Sequence, residues 1–154
     1  MRVCNLGVQI CGWKFNQISL NAPFIRMFMM KLVCLDRDGT ISKDDNYYLG
    51  SSPSWKERVK ILDGVVEGIK RLNSFSRTEV FIITNQSGVA LAEPKFAELT
   101  EERMHEVNRY IIDLLAQQGA RIRGYFTCPF VDTKYVEKVK ARGWNVHQHY
   151  VRDE

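Results

Sequence analysis

Lys31-Leu-Val-Cys-Leu-Asp-Arg-Asp-Gly-Thr40 decides how this chain is read. The apolar run Lys31 to Leu35 has the length of one buried parallel strand, and it stops abruptly at Asp36. The polar stretch that follows, Gly39 to Pro53, is long for a plain connection, and loops of that length tend to carry function. Beyond it Val65, Ile69 and Leu72 recur at i, i+4 and i+7, which predicts a helix beginning near Asp63-Gly64. Val80-Phe-Ile-Ile-Thr84 reads as a second buried strand and breaks off at Asn85-Gln-Ser-Gly88. Thr100 is a helix cap with Glu101 and Glu102 at the positive end. Met104, Val107, Ile111, Leu114 and Leu115 supply that helix's apolar stripe, and Gly119 its stop. A third strand is expected around Ile122 to Thr127 and a short helix around Lys134 to Arg142. Strand, helix, strand, helix, strand without a hairpin signal predicts an α/β fold, a Rossmann-like parallel sheet flanked by helices on both faces.

Residues 1–29 read differently. Cys4, Leu6, Val8 and Ile10 alternate with polar residues or glycine in a weak strand pattern. Met27, Met29 and Met30 crowd just before the first strong strand. The domain division expected is therefore 1–29, an N-terminal extension or a mis-assigned start, and 30–154, the α/β domain.

Composition narrows the class. The 154 residues are 45% apolar and 26% charged, a soluble globular balance that excludes low-complexity and collagen-like chains. No apolar run reaches the roughly 20 residues of a membrane span, so no membrane partner is expected. The 22 Lys and Arg against 18 Asp and Glu leave a net charge of +4, compatible with an anionic small molecule or with nucleic acid. Cys4, Cys11, Cys34 and Cys128 share no metal-type spacing and read as reduced thiols of a cytoplasmic protein. No clean signal peptide precedes them.

In open parallel sheets ligands gather beyond the carboxyl ends of the strands. Asp36-Arg-Asp-Gly-Thr40 and Thr84-Asn-Gln-Ser-Gly88 both fall there. In extended backbone Asp36 and Asp38 point the same way, about 6–7 Å apart, with Arg37 pointing elsewhere. Gly39 eases the exit from the strand. Two such carboxylates repel unless a cation or proton lies between them. Mg²⁺ is a hard ion that suits oxygen ligands. One carboxylate can then attack phosphorus while the other hands a proton to the leaving oxygen. A hydroxyl and free N–H groups at the end of the second strand suit a phosphate.

Asp36 to Thr40 resembles the first motif, D-x-D-G-T, of the haloacid dehalogenase superfamily of phosphohydrolases, and Thr84 its second. The longer strings L-D-R-D-G-T and I-I-T-N-Q-S-G-V are similar to the branch of sugar bisphosphate phosphatases, typified by heptose bisphosphate phosphatase, and of histidinol-phosphatase domains. The resemblance runs over about 31–152. It implies Asp36 as nucleophile and Mg²⁺ ligand. Asp38 would be the general acid/base, with a backbone carbonyl on the metal. Thr84 and Asn85 would hold the phosphoryl group. It implies a Mg²⁺-dependent phosphatase acting on a small phosphorylated metabolite, a sugar phosphate or bisphosphate, through an aspartyl-phosphate.

The pattern is departed from in two places. The family's Lys, often before Pro, and its later acidic residue have no counterpart before Glu154, so the fold is expected to be incomplete at the C-terminus and this chain weak or inactive. Lys134, Lys138 and Lys140 read as a solvated face, and Asp153 and Glu154 as frayed. Without a neighbouring last strand, Lys31–Leu35 is expected to present an open apolar edge. The branch's zinc loop is also missing: Phe130 stands where a His belongs after Cys128, so zinc is not expected. His147 and His149 read as surface residues. The T-N-Q-x-G string also occurs in DNA 3′-phosphatases, but no basic run or aromatic platform supports a nucleic-acid partner. A third reading is a non-catalytic domain that binds phosphate ligands or a partner.

Overall fold

The structure, a computed structural model, describes residues 30–44 and 48–153. The possible strand at Cys4–Ile10, the division at residue 29 and Glu154 lie outside them. Three parallel strands, β1 (Lys31–Asp36), β2 (Thr78–Asn85) and β3 (Gly124–Cys128), form the sheet among the described residues, in the order β1-β2-β3. The register sets Val33 beside Val80 and Leu35 beside Ile82, and it sets Ile82 beside Tyr125. Four helices accompany them: α1 (Trp55–Arg58), α2 (Val65–Ser74), α3 (Glu101–Gln117) and α4 (Thr133–Lys140). Observed β3 lies about two residues later than the apolar pattern suggested, because Ile122 packs into the core before the strand begins.

Local chemistry accounts for the helices. Thr100 accepts the Arg103 N–H at 3.1 Å, satisfying one of the four orphan donors that open α3. The buried stripe of α3, with Met104, Val107, Ile111 and Leu115, follows the helical period. Asp132 caps α4 in the same way through the Tyr135 N–H at 2.7 Å. Lys134, Lys138 and Lys140 are exposed on α4, the solvated face expected of them.

Among the described residues the helices do not lie on both faces. Val66 and Ile69 of α2 and Val107, Ile111 and Leu115 of α3 join Val80 and Ile82 in one core, which Val33, Leu35 and Tyr125 border. All the strand residues in that list point the same way across the pleat. The reason is topological. Right-handed crossovers that step twice in the same direction, β1 to β2 and β2 to β3, place both connecting helices on one side of the sheet. The opposite face carries Leu32, Cys34, Phe81, Ile83 and Phe126. Leu32 is 63% and Phe126 62% exposed, and Phe126 stacks against Phe81 with ring centres 5.6 Å apart. Cys34 is exposed as well, so β1 is not the buried strand its composition suggests. The outer edge of β1 is unpaired among the described residues.

At the carboxyl end of the sheet a second group of contacts ties α4 to the segment after β2. Val89, Ala90, Leu99, Met104, Val131 and Tyr150 form it. Asp153 is not frayed: it accepts from both the backbone N–H and the hydroxyl of Thr133, which hold its carboxyl below the ordinary value. No described helix is long and apolar enough to cross a membrane.

Candidate active site

Asp36 ends β1, and its exposed carboxylate accepts the Arg37 N–H at 2.8 Å through Oδ1. Burial of part of the group pushes its carboxyl above the ordinary 3.8. The Arg37 N–H pulls it down, and the neighbouring Asp38 charge pushes it up again. Asp38 lies two residues on, where a bridge to Ser42 begins the turn out of the sheet. Ser42 and Ile41 both donate their N–H to the Arg37 carbonyl, at 2.9 and 3.0 Å, so the backbone between the two acids is fixed.

Asp38 is the hub of the site. Thr84, at the end of β2, donates its hydroxyl to Oδ2 at 3.2 Å. Gln86 donates its amide to the same oxygen at 2.8 Å and to the Thr84 hydroxyl at 2.8 Å. Two segments more than forty residues apart thus meet at one carboxylate oxygen. Thr84 and Gln86 are buried, and the Gln86 N–H is anchored on the Cys128 carbonyl at 2.8 Å, which locks the loop to β3. Asn85 is exposed and faces an open cleft of about 390 Å³ together with Asp38, Gln86, Ser87 and Gly88. The sequence reading placed Asn85 at this carboxyl edge of the sheet.

Arg37 departs from the expectation that it points elsewhere. Its side chain is 1% exposed and turns back onto Asp38, with Nε to Oδ1 at 3.0 Å and Nη2 to Oδ2 at 2.9 Å. Its Nη1 donates to the Asn108 amide oxygen of α3 at 3.0 Å. The planar guanidinium fork matches both carboxylate oxygens, which a lysine could not do. Sequence reading missed Arg37, Gln86 and Asn108 as site residues. Gln86 was legible, since it stands inside the quoted T-N-Q-S-G string, whereas nothing local marks Asn108, 71 residues away.

Gly88 closes the wall beside Asn85. A Cβ there would stand 2.5 Å from the Tyr48 ring and 2.6 Å from a Leu99 methyl, so only glycine lets these side chains pack against the loop. The donor chemistry at the strand tips fits Mg²⁺. It takes oxygen ligands, keeps several waters, and needs only one or two carboxylates beside a substrate phosphate. Asp36 presents an exposed carboxylate of that kind, although among the described residues no three His, Cys, Asp or Glu side chains converge on one point.

A scan against protein-family models finds no match. The chain is 39% identical over 95 residues to D-glycero-beta-D-manno-heptose-1,7-bisphosphate 7-phosphatase of Rhodopseudomonas palustris, covering 62% of this chain and 47% of that protein. The enzyme of the same name from Neisseria meningitidis is 32% identical over 105 residues, or 67% of this chain and 50% of the relative. Among solved structures, D,D-heptose 1,7-bisphosphate phosphatase of B. bronchiseptica, complexed with magnesium and phosphate, superposes with a TM-score of 0.50 at 28% identity. That match covers 65% of this chain and 50% of the other. A putative HAD-like phosphatase from Mesorhizobium loti gives a TM-score of 0.53 at 26% identity, over 66% and 44% of the two chains. The chain thus spans about half the length of the curated relatives it matches. Motif and comparison point the same way: the chain is similar to haloacid dehalogenase-like phosphatases and, among them, to the heptose bisphosphate phosphatases.

Proposed function

We propose that this strand-end site binds a phosphorylated sugar and transfers its phosphoryl group to Asp36. The observation that carries the reading is the meeting of Asp38, Thr84 and Gln86 at one carboxylate oxygen, next to the exposed Asp36. An Asp36 oxygen attacks phosphorus, the bond to the ester oxygen breaks, and Asp38 gives that leaving oxygen a proton. Water then attacks the aspartyl-phosphate, Asp38 takes the proton back, and Asp36 is regenerated with inorganic phosphate. Arg37 holds Asp38 in one rotamer for both transfers. Asn85 offers its exposed amide to the phosphate oxygens, and the Thr84 hydroxyl would join it by turning its proton away from Asp38. Mg²⁺, held by Asp36 and the Asp38 carbonyl, would neutralise charge on the transferring group. The resemblance favours a heptose bisphosphate as substrate, because that is what the relatives are named for. A cytoplasmic location suits both the substrate class and the reduced thiols of Cys34 and Cys128.

The test is phosphate release with Mg²⁺ from heptose 1,7-bisphosphate and, as a rival, from a 3′-phosphorylated oligonucleotide. Release from the sugar that disappears in Asp36→Asn supports the proposal. Release that survives Asp36→Asn removes the nucleophile assignment, and binding without any release leaves a phosphate-binding domain.

A further inference from the structure

The cleft that starts at Asp38 and Asn85 is also lined by residues from a distant element, the turn after α4. Arg142 and Trp144 stand on either side of Gly143 there. Gly143 sits at φ +75, in the left-handed region, and closes α4 with two bonds. Its own N–H reaches the Lys140 carbonyl at 2.9 Å, and the Trp144 N–H reaches the Val139 carbonyl at 3.1 Å. This turn is a fixed support. Trp144 is wedged edge-on against Phe96, with centres 5.5 Å apart, and the Lys95 ammonium lies 3.6 Å from its ring centre. Phe96 in turn packs on Tyr48 at 4.7 Å, and Tyr48 is the ring pressed against Gly88. A continuous wall therefore runs from the phosphate loop through Tyr48 to Trp144.

Among the described residues that line this cleft, Arg142 alone is cationic. Arg37, the other guanidinium near the site, is buried and committed to Asp38 and Asn108. The guanidinium of Arg142 rests 5.9 Å from the Trp144 ring centre. An exposed arginine held on an aromatic ring at the mouth of a polar cleft offers its planar donor fork to a second anionic group. A cleft of about 390 Å³, with Asp38 and Asn85 in its lining together with Arg142, is in the range of small-molecule sites.

We propose that Arg142, positioned by Trp144, is the specificity residue of this site, binding the second phosphate of a sugar bisphosphate whose first phosphate sits at Asp36 and Thr84. The inference rests on the strand-end reading of the phosphate site. It assigns to the turn after α4 the discrimination between bisphosphate and monophosphate sugars.

Calorimetric titration of the full chain with Mg²⁺ tests it, using fructose 1,6-bisphosphate and fructose 6-phosphate as probes. The wild type should bind the bisphosphate about tenfold or more tightly, a charge-assisted contact's worth of discrimination. Arg142→Ala should bring the two affinities to within about twofold by weakening only the bisphosphate, and Arg142→Lys should restore part of the preference. Equal affinities in the wild type, or a preference that survives Arg142→Ala, would overturn the proposal. Thr84→Ala separates the two claims, since it should weaken both sugars alike. Affinities unmoved by Thr84→Ala would sink the strand-end reading instead, while the effect of Arg142 would still be read from the ratio.

Discussion

Replacing Arg37 with methionine isolates the grip on Asp38. Methionine keeps much of the stem's volume, so little cavity opens and the change is mainly electrostatic. Three hydrogen bonds vanish, two to Asp38 at 3.0 and 2.9 Å and one to Asn108 at 3.0 Å. Breaking a buried pair by removing one partner costs about 3–5 kcal/mol when both ends are dry. Here Arg37 is 1% exposed but the Asp38 side chain is 30% exposed, and Thr84 and Gln86 still donate to it. Solvent screening and those two donors reduce the expected loss to about 2–4 kcal/mol. Urea unfolding followed by tryptophan fluorescence should then show the midpoint falling by about 1–2 M, with the slope unchanged. Adding Asp38→Asn should return at least about 1 kcal/mol, because the stranded charge is gone. A single-variant loss below about 1 kcal/mol, or strict additivity in the double variant, would show that Arg37 is not what holds Asp38.

Asp36→Asn should abolish phosphate release yet stabilise the fold at neutral pH. A carboxyl raised above 3.8 favours the protonated folded state, so its contribution is present at low pH and is lost as pH rises through the raised value. The variant and the wild type should melt together near pH 3 and diverge above it, by under about 1 kcal/mol because solvent screens so exposed a group. Divergence of the opposite sign would contradict the burial argument. Gly88→Ala should cost about 1–3 kcal/mol, since its Cβ overlaps Tyr48 and Leu99; an unchanged melting temperature would mean that wall is not packed as described. Phe126→Lys, on the uncovered face, should lower light scattering at high protein concentration while changing stability by only about 0.5 kcal/mol. Scattering equal to wild type would clear that face of self-association.

The α-helical stripes, the Thr100 cap and the strand that stops at Asp36 were readable in the chain because each is set by neighbours within a few residues. The i, i+4 spacing and a hydroxyl reaching the N–H three positions on are local geometry. So too is the placement of Asp36, Asp38, Thr84 and Asn85 at one edge, since parallel strands all end on the same side. Alternation along β1 shows that its residues face two ways but says nothing about which face is covered. The direction of two successive crossovers settled that, leaving Leu32, Cys34 and Phe126 outside.

Asp38 shows the same division within the site. A carboxylate after a strand is visible in the sequence, and so is the arginine before it. That Arg37 turns inward to hold Asp38 depends on Asn108 waiting on α3 and on Thr84 and Gln86 arriving from β2. Arg142 reaches the same cleft only because Gly143 turns the chain and Phe96 stops Trp144. Short-range hydrogen bonding and periodicity are written along the chain. Which charges end up buried together depends on desolvation and on contacts between distant segments, and these exist only once the sheet has brought the segments to one edge.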